Sequence, residues 1–561
     1  MKVFNKKNFQ LTLFTMLWIS TFSVQAQTSL GKMTAFWRTC MMTGGKDQIT
    51  PWHLYKNPVA YLDDTAFPYN YAKYGITPSS EFVLHGDVAS FVRFLSGPGT
   101  TDSYDLAKRV NGKVVLQTDA LTERFAKTEA SGAIKNYMIV LDQIPVCFPD
   151  PENVTYGTYG QTAMPADMDE WTTFIKDMCE GIKNILGEEK ANNLSFRMGT
   201  EAHSGHRYNY TDPNVMLNFY KITAQAVKSV LPQAKFGPYN TCVPWIASKQ
   251  VLKFNDLVQY CKDYDLPLDF IGYSWYVQGA DPLIDPQGFV DHWKAAAEIN
   301  PDLNNVPIEY YEFGSLGTEG TRYMRPTCDN AAAIFNMLMD SKAAGFTGTF
   351  HWPVDVKIVD SPATYVMNAL GWVFQVLDHT TGGDAYLLSN TLISDNVGGS
   401  TIRTLGVFHC DNNKNYLIVS SFNPTIGKVS QETVKVKIPK SYINLKENIT
   451  SVKVASLDRS NCPLLAIRND LQENGYLSEE YTGKPYVTNF SSVHYRLVQA
   501  SVTDMTNAKN LIRDNRTKYV NLCKNSFTLK EKTITMTKTQ SSNELNISVT
   551  ANSISVIVLE E

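Results

Sequence analysis

The sequence predicts an α/β fold, a (β/α)8 barrel followed by a C-terminal antiparallel β-sandwich. Three observations lead to this prediction. Short apolar runs alternate with helical patterns over roughly residues 135–375. After residue 380 the pattern changes to one strand-like segment after another. The chain has 561 residues, which is enough for a large barrel and an accessory domain.

The N-terminal segment has the pattern of a secretory signal peptide. Three lysines fall within the first seven residues, an apolar run follows at 11–24, and Ala26 ends a motif typical of a cleavage site. The apolar run is shorter than the about 20 residues of a comfortable membrane span. We therefore expect residues 1–26 to be removed, the protein to be secreted or periplasmic, and no membrane span.

The strand-like runs of the first part are short and are separated by helical patterns. Apolar side chains recur at three- and four-residue steps from Trp171 to Ile185 and from Met216 to Val230, and residues 331–344 are rich in good helix formers. Strands separated by helices pair in parallel, and eight such units predict a closed barrel. The six clear strands are expected at 137–141, 194–198, 235–239, 268–273, 306–311 and 348–352, and two more upstream at 34–40 and 81–85.

The last third of the sequence is rich in Val, Ile, Thr and Tyr, which favour strands. A turn signal at 411–414 joins two of these segments, which indicates antiparallel pairing. We therefore expect a barrel domain over 27–378 and a β-sandwich domain over 379–561. The expected strands of the second domain lie at 385–393, 400–409, 414–422, 429–438, 449–457, 493–498, 532–537 and 544–559.

Composition excludes several classes of protein. The 51 Lys and Arg residues face 55 Asp and Glu residues, and no basic block occurs, so nucleic acid is not an expected partner. The nine cysteines are widely spaced and form no CxxC pair, which is typical neither of a zinc ribbon nor of a disulfide scaffold. Aromatic residues make up 12% of the chain, which suits a sugar-binding cleft or a large β-rich core equally.

Two glutamates end predicted strands of the barrel. Glu201 follows the run FRMGT, and Glu312 follows PIEYY. In a (β/α)8 barrel, catalytic groups lie at the carboxyl ends of the strands, and a retaining glycosidase needs two carboxyl groups about 5–5.5 Å apart. Glu309 lies on the same predicted strand as Glu312 and is the alternative candidate for the nucleophile. Because side chains alternate along a strand, we expect Glu309 and Glu312 to point to opposite faces, with Glu309 in an ion pair or in the outer layer.

Several short motifs resemble one family of glycosidases. They are FWRTC at 36–40, FGPYN at 236–240 followed by Trp245, PLDFIGYSWY at 267–276, YEFGS at 311–315 and LGVFHCDNNKNYL at 405–417. Their order is similar to that of retaining (β/α)8 glycosidases, most closely the β-xylosidase/α-L-iduronidase family, glycoside hydrolase family 39. The resemblance implies O-glycosidic bond cleavage by double displacement, with Glu201 as acid/base and Glu312 as nucleophile, and without a cofactor.

A second group of residues is expected to bind the carbohydrate substrate. Thr200 stands where the resembling enzymes usually carry an asparagine that bonds the 2-hydroxyl of the sugar. Tyr273 is expected to hydrogen-bond Glu312, and Trp352, at the end of the eighth strand, to stack on the sugar ring. The full predicted substrate-binding set is Thr200, His203, Asn240, Tyr273, Trp275 and Trp352.

Two other classes of function remain open from the sequence. One is a secreted glycan-binding protein on a barrel that has lost its catalytic carboxylate pair. The other is a metal-dependent hydrolase that uses His203 and His206, although Gly205 between them indicates a loop and no HExxH motif occurs. We expect no bound metal. The arrangement of Glu201 and Glu312 in space separates the first alternative from a glycosidase.

Overall fold

The protein is described by a computed structural model. It describes residues 27–34, 36–42, 88–92, 94–96, 105–131, 136–157, 160–202, 207–241, 250–276, 286–314, 327–351, 357–360, 364–367, 369–394, 399–424, 428–446, 449–475, 507, 510–511 and 513–561.

The first two thirds of the described chain alternate between strands and helices. In order, the elements are β1 (Thr28–Lys32), β2 (Trp37–Met42), β3 (Val88–Val92), β4 (Ala107–Val110), β5 (Lys113–Leu116), α1 (Thr118–Ser131), β6 (Asn136–Val140), β7 (Tyr156–Gly157), β8 (Gly160–Gln161), α2 (Met168–Leu186), α3 (Glu188–Asn192), β9 (Ser195–Arg197), α4 (Pro213–Val230), β10 (Lys235–Gly237), α5 (Phe254–Asp263), β11 (Ile271–Tyr276), α6 (Gln287–Ile299), β12 (Ile308–Gly314), α7 (Cys328–Ala343), β13 (Gly348–His351), β14 (Lys357–Asp360), β15 (Thr364–Met367) and α8 (Ala369–Asp378).

The last third consists mainly of strands. They are β16 (Asp384–Leu387), β17 (Asn390–Ser394), β18 (Thr401–Phe408), β19 (Asn415–Phe422), β20 (Gln431–Pro439), β21 (Ser451–Leu457), β22 (Lys530–Thr533), β23 (Thr535–Lys538), β24 (Ser542–Thr550) and β25 (Ser553–Leu559). Helices α9 (Pro463–Glu473) and α10 (Arg516–Phe527) are among the described elements between β21 and β22. The predicted mixed α/β class is confirmed.

Eight of the strands form one parallel sheet in the order β10-β9-β6-β3-β2-β13-β12-β11. The two ends of this order, β10 and β11, are also joined by backbone hydrogen bonds. The N–H of Thr241 donates to the carbonyl of Gly272 at 3.2 Å, and the N–H of Ser274 donates to the carbonyl of Thr241 at 3.0 Å. Along the chain, β9 is the fourth strand of this sheet and β12 is the seventh.

The helices form where the periodic apolar patterns predicted them. Asp167 caps α2 by accepting hydrogen bonds from two backbone N–H groups of the first turn, and Asp212 caps α4, which has Pro213 at its first position. The apolar stripes of both helices are buried. The indole N–H of Trp171 donates to the hydroxyl of Thr223 at 2.9 Å, which joins the two helices directly.

The strands of the last third form two antiparallel sheets. One has the order β1-β16-β18-β19-β25-β21-β22, and the other has the order β17-β20-β24-β23. Side chains from both sheets, among them Val419, Val436 and Ile547, form one buried apolar cluster. Because β1 pairs antiparallel with β16, residues 28–32 belong to a C-terminal sheet and not to the parallel one.

Helix α7 joins the parallel sheet to the C-terminal part, and nearly all of its side chains are buried. Asp340 of α7 accepts two hydrogen bonds from the guanidinium of Arg403 in β18, at 2.6 Å and 2.9 Å. The side-chain amide of Asn336 donates to the carbonyl of Thr401 at 3.0 Å. A bidentate, charge-assisted pair of this kind fixes orientation as well as distance.

Several strands differ from the predicted ranges. The predicted strand at 81–85 lies outside the described residues, and the second strand of the parallel sheet is β3, at Val88–Val92. The predicted segment 544–559 is two strands, because Asn552 adopts a left-handed φ of 56° that turns the chain between β24 and β25. The predicted strand at 493–498 lies outside the described residues. In the parts of the chain that the structure describes, no helix is long and apolar enough to span a membrane.

A buried polar contact fixes β11 to α6. The hydroxyl of Tyr273 lies 2.9 Å from Nδ1 of His292, and the ring of Tyr273 packs against Phe289 with 4.9 Å between centroids. Burial lowers the pKa of His292 to about 4, so this imidazole is neutral near pH 7.

Acidification should weaken the fold through His292. The unfolded chain takes up the proton near the ordinary pKa of 6.5, whereas the folded chain takes it up near 4, so stability falls as the pH falls through this window. Between pH 7 and pH 5 we expect the free energy of unfolding to fall by about 2 kcal/mol more in the wild type than in His292→Gln. Calorimetric Tm values at the two pH values test this. Equal losses of Tm in wild type and variant would contradict it.

Candidate active site

Glu201 lies in a tightly wound turn directly after β9. Gly199 has a φ of 73° and Glu201 a φ of 49°, both in the left-handed region that favours glycine. A Cβ at position 199 would collide with the hydroxyl of Tyr208, which donates to the carbonyl of Leu141 at 3.1 Å. A non-glycine residue in this region costs of order 1 kcal/mol, so the surrounding contacts must hold Glu201 in this conformation.

Asn240 holds this turn against the neighbouring strands. The backbone N–H of Glu201 donates to Oδ1 of Asn240 at 3.0 Å, and Nδ2 of Asn240 donates to Oγ of Ser274. Thr200 and Asn240 also form a parallel bridge. Since Asn240 follows β10 and Ser274 lies in β11, one amide side chain ties together the carboxyl ends of three strands.

Glu312 is placed by a β-bulge in β12. Tyr273 pairs with Tyr310, but the next residue of β11, Ser274, pairs with Glu312, so that Tyr311 is the extra residue. Glu309 pairs with Gly272, two residues before Ser274 on the same face. The bulge therefore puts Glu309 and Glu312 on the same side of the sheet. The alternation argument that pointed them to opposite faces is wrong, because it assumed an unbroken strand.

A buried arginine lies between the two glutamate-bearing segments. Nη2 of Arg197 is 3.2 Å from Oγ1 of Thr200 and 3.9 Å from Oε1 of Glu312, and the Arg197 side chain is fully buried. The two oxygens that share this nitrogen are thus no more than about 7 Å apart. Because Thr200 precedes Glu201 in the chain, the turn of Glu201 and the side chain of Glu312 lie at the same end of the sheet.

The two carboxylates have different surroundings. The Glu201 side chain is 15% exposed, and its Oε2 lies 3.5 Å from Nη2 of Arg207. The Glu312 side chain is 5% exposed and lies opposite Arg197. The sequence analysis missed both arginines. An arginine inside the otherwise apolar run FRM was the signal that could have identified Arg197, since a charge in a buried strand requires a partner.

The predicted substrate-binding residues separate into three groups. Thr200 and Asn240 lie in the polar network but are fully buried, so both support the turn of Glu201. Tyr273 and Trp275 lie on the side of β11 that faces α6, opposite to the side that carries Ser274. Tyr273 bonds His292 and not Glu312 as expected, and Trp275 packs on Phe289 and Tyr310 of the helix-facing layer.

The assignments of Tyr273 and Trp275 to substrate binding are therefore corrected. The residue of β11 whose side chain joins the polar network of Asn240 is Ser274, which lies between them. His203 and Trp352 lie outside the described residues. So does His206, on which the metal hypothesis depends. Within the described residues no group of three or more His, Cys, Asp or Glu side chains could hold a metal ion.

Residues 150–349 match the family model described as glycosyl hydrolases family 39. The chain is 29% identical over 243 residues to an α-1,4-L-rhamnosidase of Formosa agariphila, and the alignment covers 40% of this chain. The chain thus spans about half the length of this curated relative, 49% of it.

Solved structures with a similar fold include two from family 39. The family 39 enzyme of Xanthomonas axonopodis pv. citri is 15% identical, with a TM-score of 0.56 over 95% of this chain and 96% of the other. The family 39 β-xylosidase of Caulobacter crescentus is 12% identical, with a TM-score of 0.52 over 96% of this chain and 98% of the other. At these identities the likeness concerns the fold. With the family match over residues 150–349, it confirms the resemblance seen in the sequence to the glycoside hydrolases of family 39.

Proposed function

We propose that this protein is a secreted retaining glycoside hydrolase in which Glu201 is the acid/base and Glu312 the nucleophile. The observation that carries the proposal is the shared contact of Arg197 with Thr200 and Glu312, which brings the two glutamate-bearing segments to one end of the parallel sheet. Most (β/α)8 glycosidases catalyse hydrolysis with two carboxyl groups at the carboxyl ends of the parallel strands.

The proposed fold is a closed (β/α)8 barrel with a C-terminal β-sandwich. The hydrogen bonds between Thr241 and β11 support closure, because they join the two ends of the strand order. The apolar cluster that both antiparallel sheets share supports the sandwich. In this arrangement the barrel comprises approximately residues 33–378, and β1 extends the sandwich of residues 379–561.

The first chemical step is the attack of Glu312 on the anomeric carbon. Protonated Glu201 donates its proton to the oxygen of the leaving group as the glycosidic bond breaks. A covalent glycosyl ester on Glu312 results. In the second step the Glu201 carboxylate takes a proton from water, and the resulting hydroxide attacks the same carbon and releases Glu312. Two inversions give net retention of anomeric configuration.

The two carboxyl groups suit these different tasks. The nucleophile must be ionised, and Glu312 lies in a buried site with its Oε1 3.9 Å from Nη2 of Arg197, a cation that favours the ionised form. The acid/base must exchange protons with leaving group and water, and Glu201 has the more exposed side chain. Such unlike environments for two carboxyl groups are what acid/base and nucleophile assignments require.

The substrate class we propose is an oligosaccharide or polysaccharide with an O-glycosidic bond. The names of the relatives suggest which sugars to test first: a xyloside from the β-xylosidase of similar fold, and an α-L-rhamnoside from the curated relative. An α-L-iduronide completes the panel because of the family resemblance. The signal peptide pattern at residues 1–26 supports a location outside the cytoplasm for the proposed reaction.

Isosteric substitutions separate the two roles. Glu312→Gln should lower kcat about 10³-fold or more on every substrate, because no covalent intermediate can form. Glu201→Gln should lower kcat/KM about 10²- to 10⁴-fold on natural glycosides but far less on dinitrophenyl glycosides, whose leaving group needs no proton. Steady-state kinetics on the aryl glycoside panel measure both effects.

Glu309→Gln is the matched control, since Glu309 is buried in the same strand and faces the same side. It should keep kcat within about threefold of wild type. Loss of activity in Glu309→Gln with normal activity in Glu312→Gln would overturn the nucleophile assignment. A wild-type protein that binds oligosaccharides but cleaves no glycoside of the panel would instead be a glycan-binding protein.

Arg207 should set the alkaline limit of activity. Its guanidinium favours the charged form of Glu201, whereas the first step requires the protonated form. Arg207→Gln should therefore move the alkaline limb of the kcat/KM profile to higher pH. The control is Arg109→Gln, which removes a half-exposed pair with Glu170. An alkaline limb that stays in place or moves to lower pH would contradict this role.

A further inference from the structure

We propose that Arg197 is a positioning residue, which fixes the Glu312 carboxylate for attack and sets its spacing from the turn of Glu201. The inference rests on the proposed function. It assigns a role to a fully buried residue that acts through Glu312 and Thr200.

Burying the charge of Arg197 without a carboxylate nearby would be unfavourable, because the guanidinium loses its hydration. The residue is fully buried in β9, between β6 and β10. Removing an isolated charge from water is strongly unfavourable, and the compensation here comes from Glu312, whose side chain is only 5% exposed. The same argument holds for Glu312. The two opposite charges therefore favour each other's presence in this buried part of the sheet.

The contact between Arg197 and Glu312 is not a short bidentate pair. At 3.9 Å the contact between Nη2 and Oε1 is longer than a hydrogen bond, so the attraction is mainly that of two opposite charges. A short bidentate pair would engage both carboxylate oxygens and reduce their nucleophilicity. In the described residues the Nε and Nη1 of Arg197 make no hydrogen bond, so the guanidinium is oriented by other contacts.

Those contacts involve the bulge of β12. The guanidinium carbon of Arg197 lies 5.0 Å from the centroid of the Tyr311 ring, and Tyr311 is the extra residue immediately before Glu312. The ring lies where a Cβ on Gly272 would be, so only glycine fits there. Arg197 thus touches both the residue that creates the bulge and the side chain that the bulge displaces.

A lysine could not reproduce this combination. The planar guanidinium stacks on an aromatic ring while one nitrogen donates to a hydroxyl and faces a carboxylate. A lysine ammonium would keep the positive charge, but it is a compact group that does not stack in this way. Arg197→Lys therefore tests charge without orientation, and Arg197→Met tests the removal of both.

The experiment uses the full-length chain and measures covalent trapping as well as turnover. Wild type, Arg197→Lys, Arg197→Met and Glu312→Gln are treated with the activated 2-deoxy-2-fluoro glycoside of the best substrate, and intact mass reports the glycosyl-enzyme. We expect Arg197→Met to lower kcat and the maximal trapping rate about 100-fold, with KM and the half-saturating concentration of the inactivator within about threefold. Arg197→Lys should recover about tenfold of this loss.

Arg124→Met is the matched control, because Arg124 is also a buried arginine but bonds the backbone carbonyls of Phe94 and Ala120. It should lower Tm and leave kcat of the folded protein within about threefold. If circular dichroism shows that Arg197→Met does not fold, Arg197→Lys is the variant that tests the proposal. Its maximal trapping rate must then be lower than that of the wild type, at an unchanged half-saturating concentration of the inactivator.

The outcomes separate the two proposals. A wild type that hydrolyses no glycoside, or a Glu312→Gln variant that is trapped like wild type, refutes the proposed function itself. Activity in wild type and its loss in Glu312→Gln, together with wild-type trapping rates in both Arg197 variants, refutes the role of Arg197 alone. A loss confined to KM also refutes it, since that would mean an effect on binding and not on the reacting carboxylate.

Discussion

One buried charge pair organises the carboxyl end of the parallel sheet. Arg197 and Glu312 come from strands that are not neighbours in the sheet, and each is nearly or fully removed from solvent. Neither charge is tolerable there alone, because an unpaired buried ion loses several kcal/mol of hydration. The requirement that they remain together fixes the distance between β9 and β12, and with it the distance between the turn of Glu201 and the bulge that carries Glu312.

Two local departures from regular backbone complete the arrangement. The left-handed turn at Gly199 and Glu201 depends on the absence of a side chain at 199, since the hydroxyl of Tyr208 fills that space. The bulge at Tyr311 depends in the same way on Gly272. Both sites use a glycine to admit a tyrosine ring beside a glutamate. Asn240 then joins the turn to β11 through Ser274, so the two irregular segments share one network.

Much of the fold follows from pattern, and much of the site does not. Periodic apolar residues and capping aspartates identify α2 and α4, and strand ends identify Glu201 and Glu312 as candidates. Periodicity cannot reveal a bulge, so the expected orientation of Glu309 was wrong and Tyr273 was assigned to the wrong face. Arg197 was missed because its partners are remote in sequence and become neighbours only when the sheet forms.

The most direct test of the central claim is the stereochemistry of the first product. Proton NMR of the anomeric region during the first minutes of hydrolysis, before mutarotation, gives the configuration of the sugar as it leaves the enzyme. We expect the same configuration as in the substrate, because the proposed double displacement consists of two successive inversions. Initial release of the opposite anomer would contradict it, since a single inversion needs carboxyl groups far enough apart to admit water and no nucleophilic Glu312.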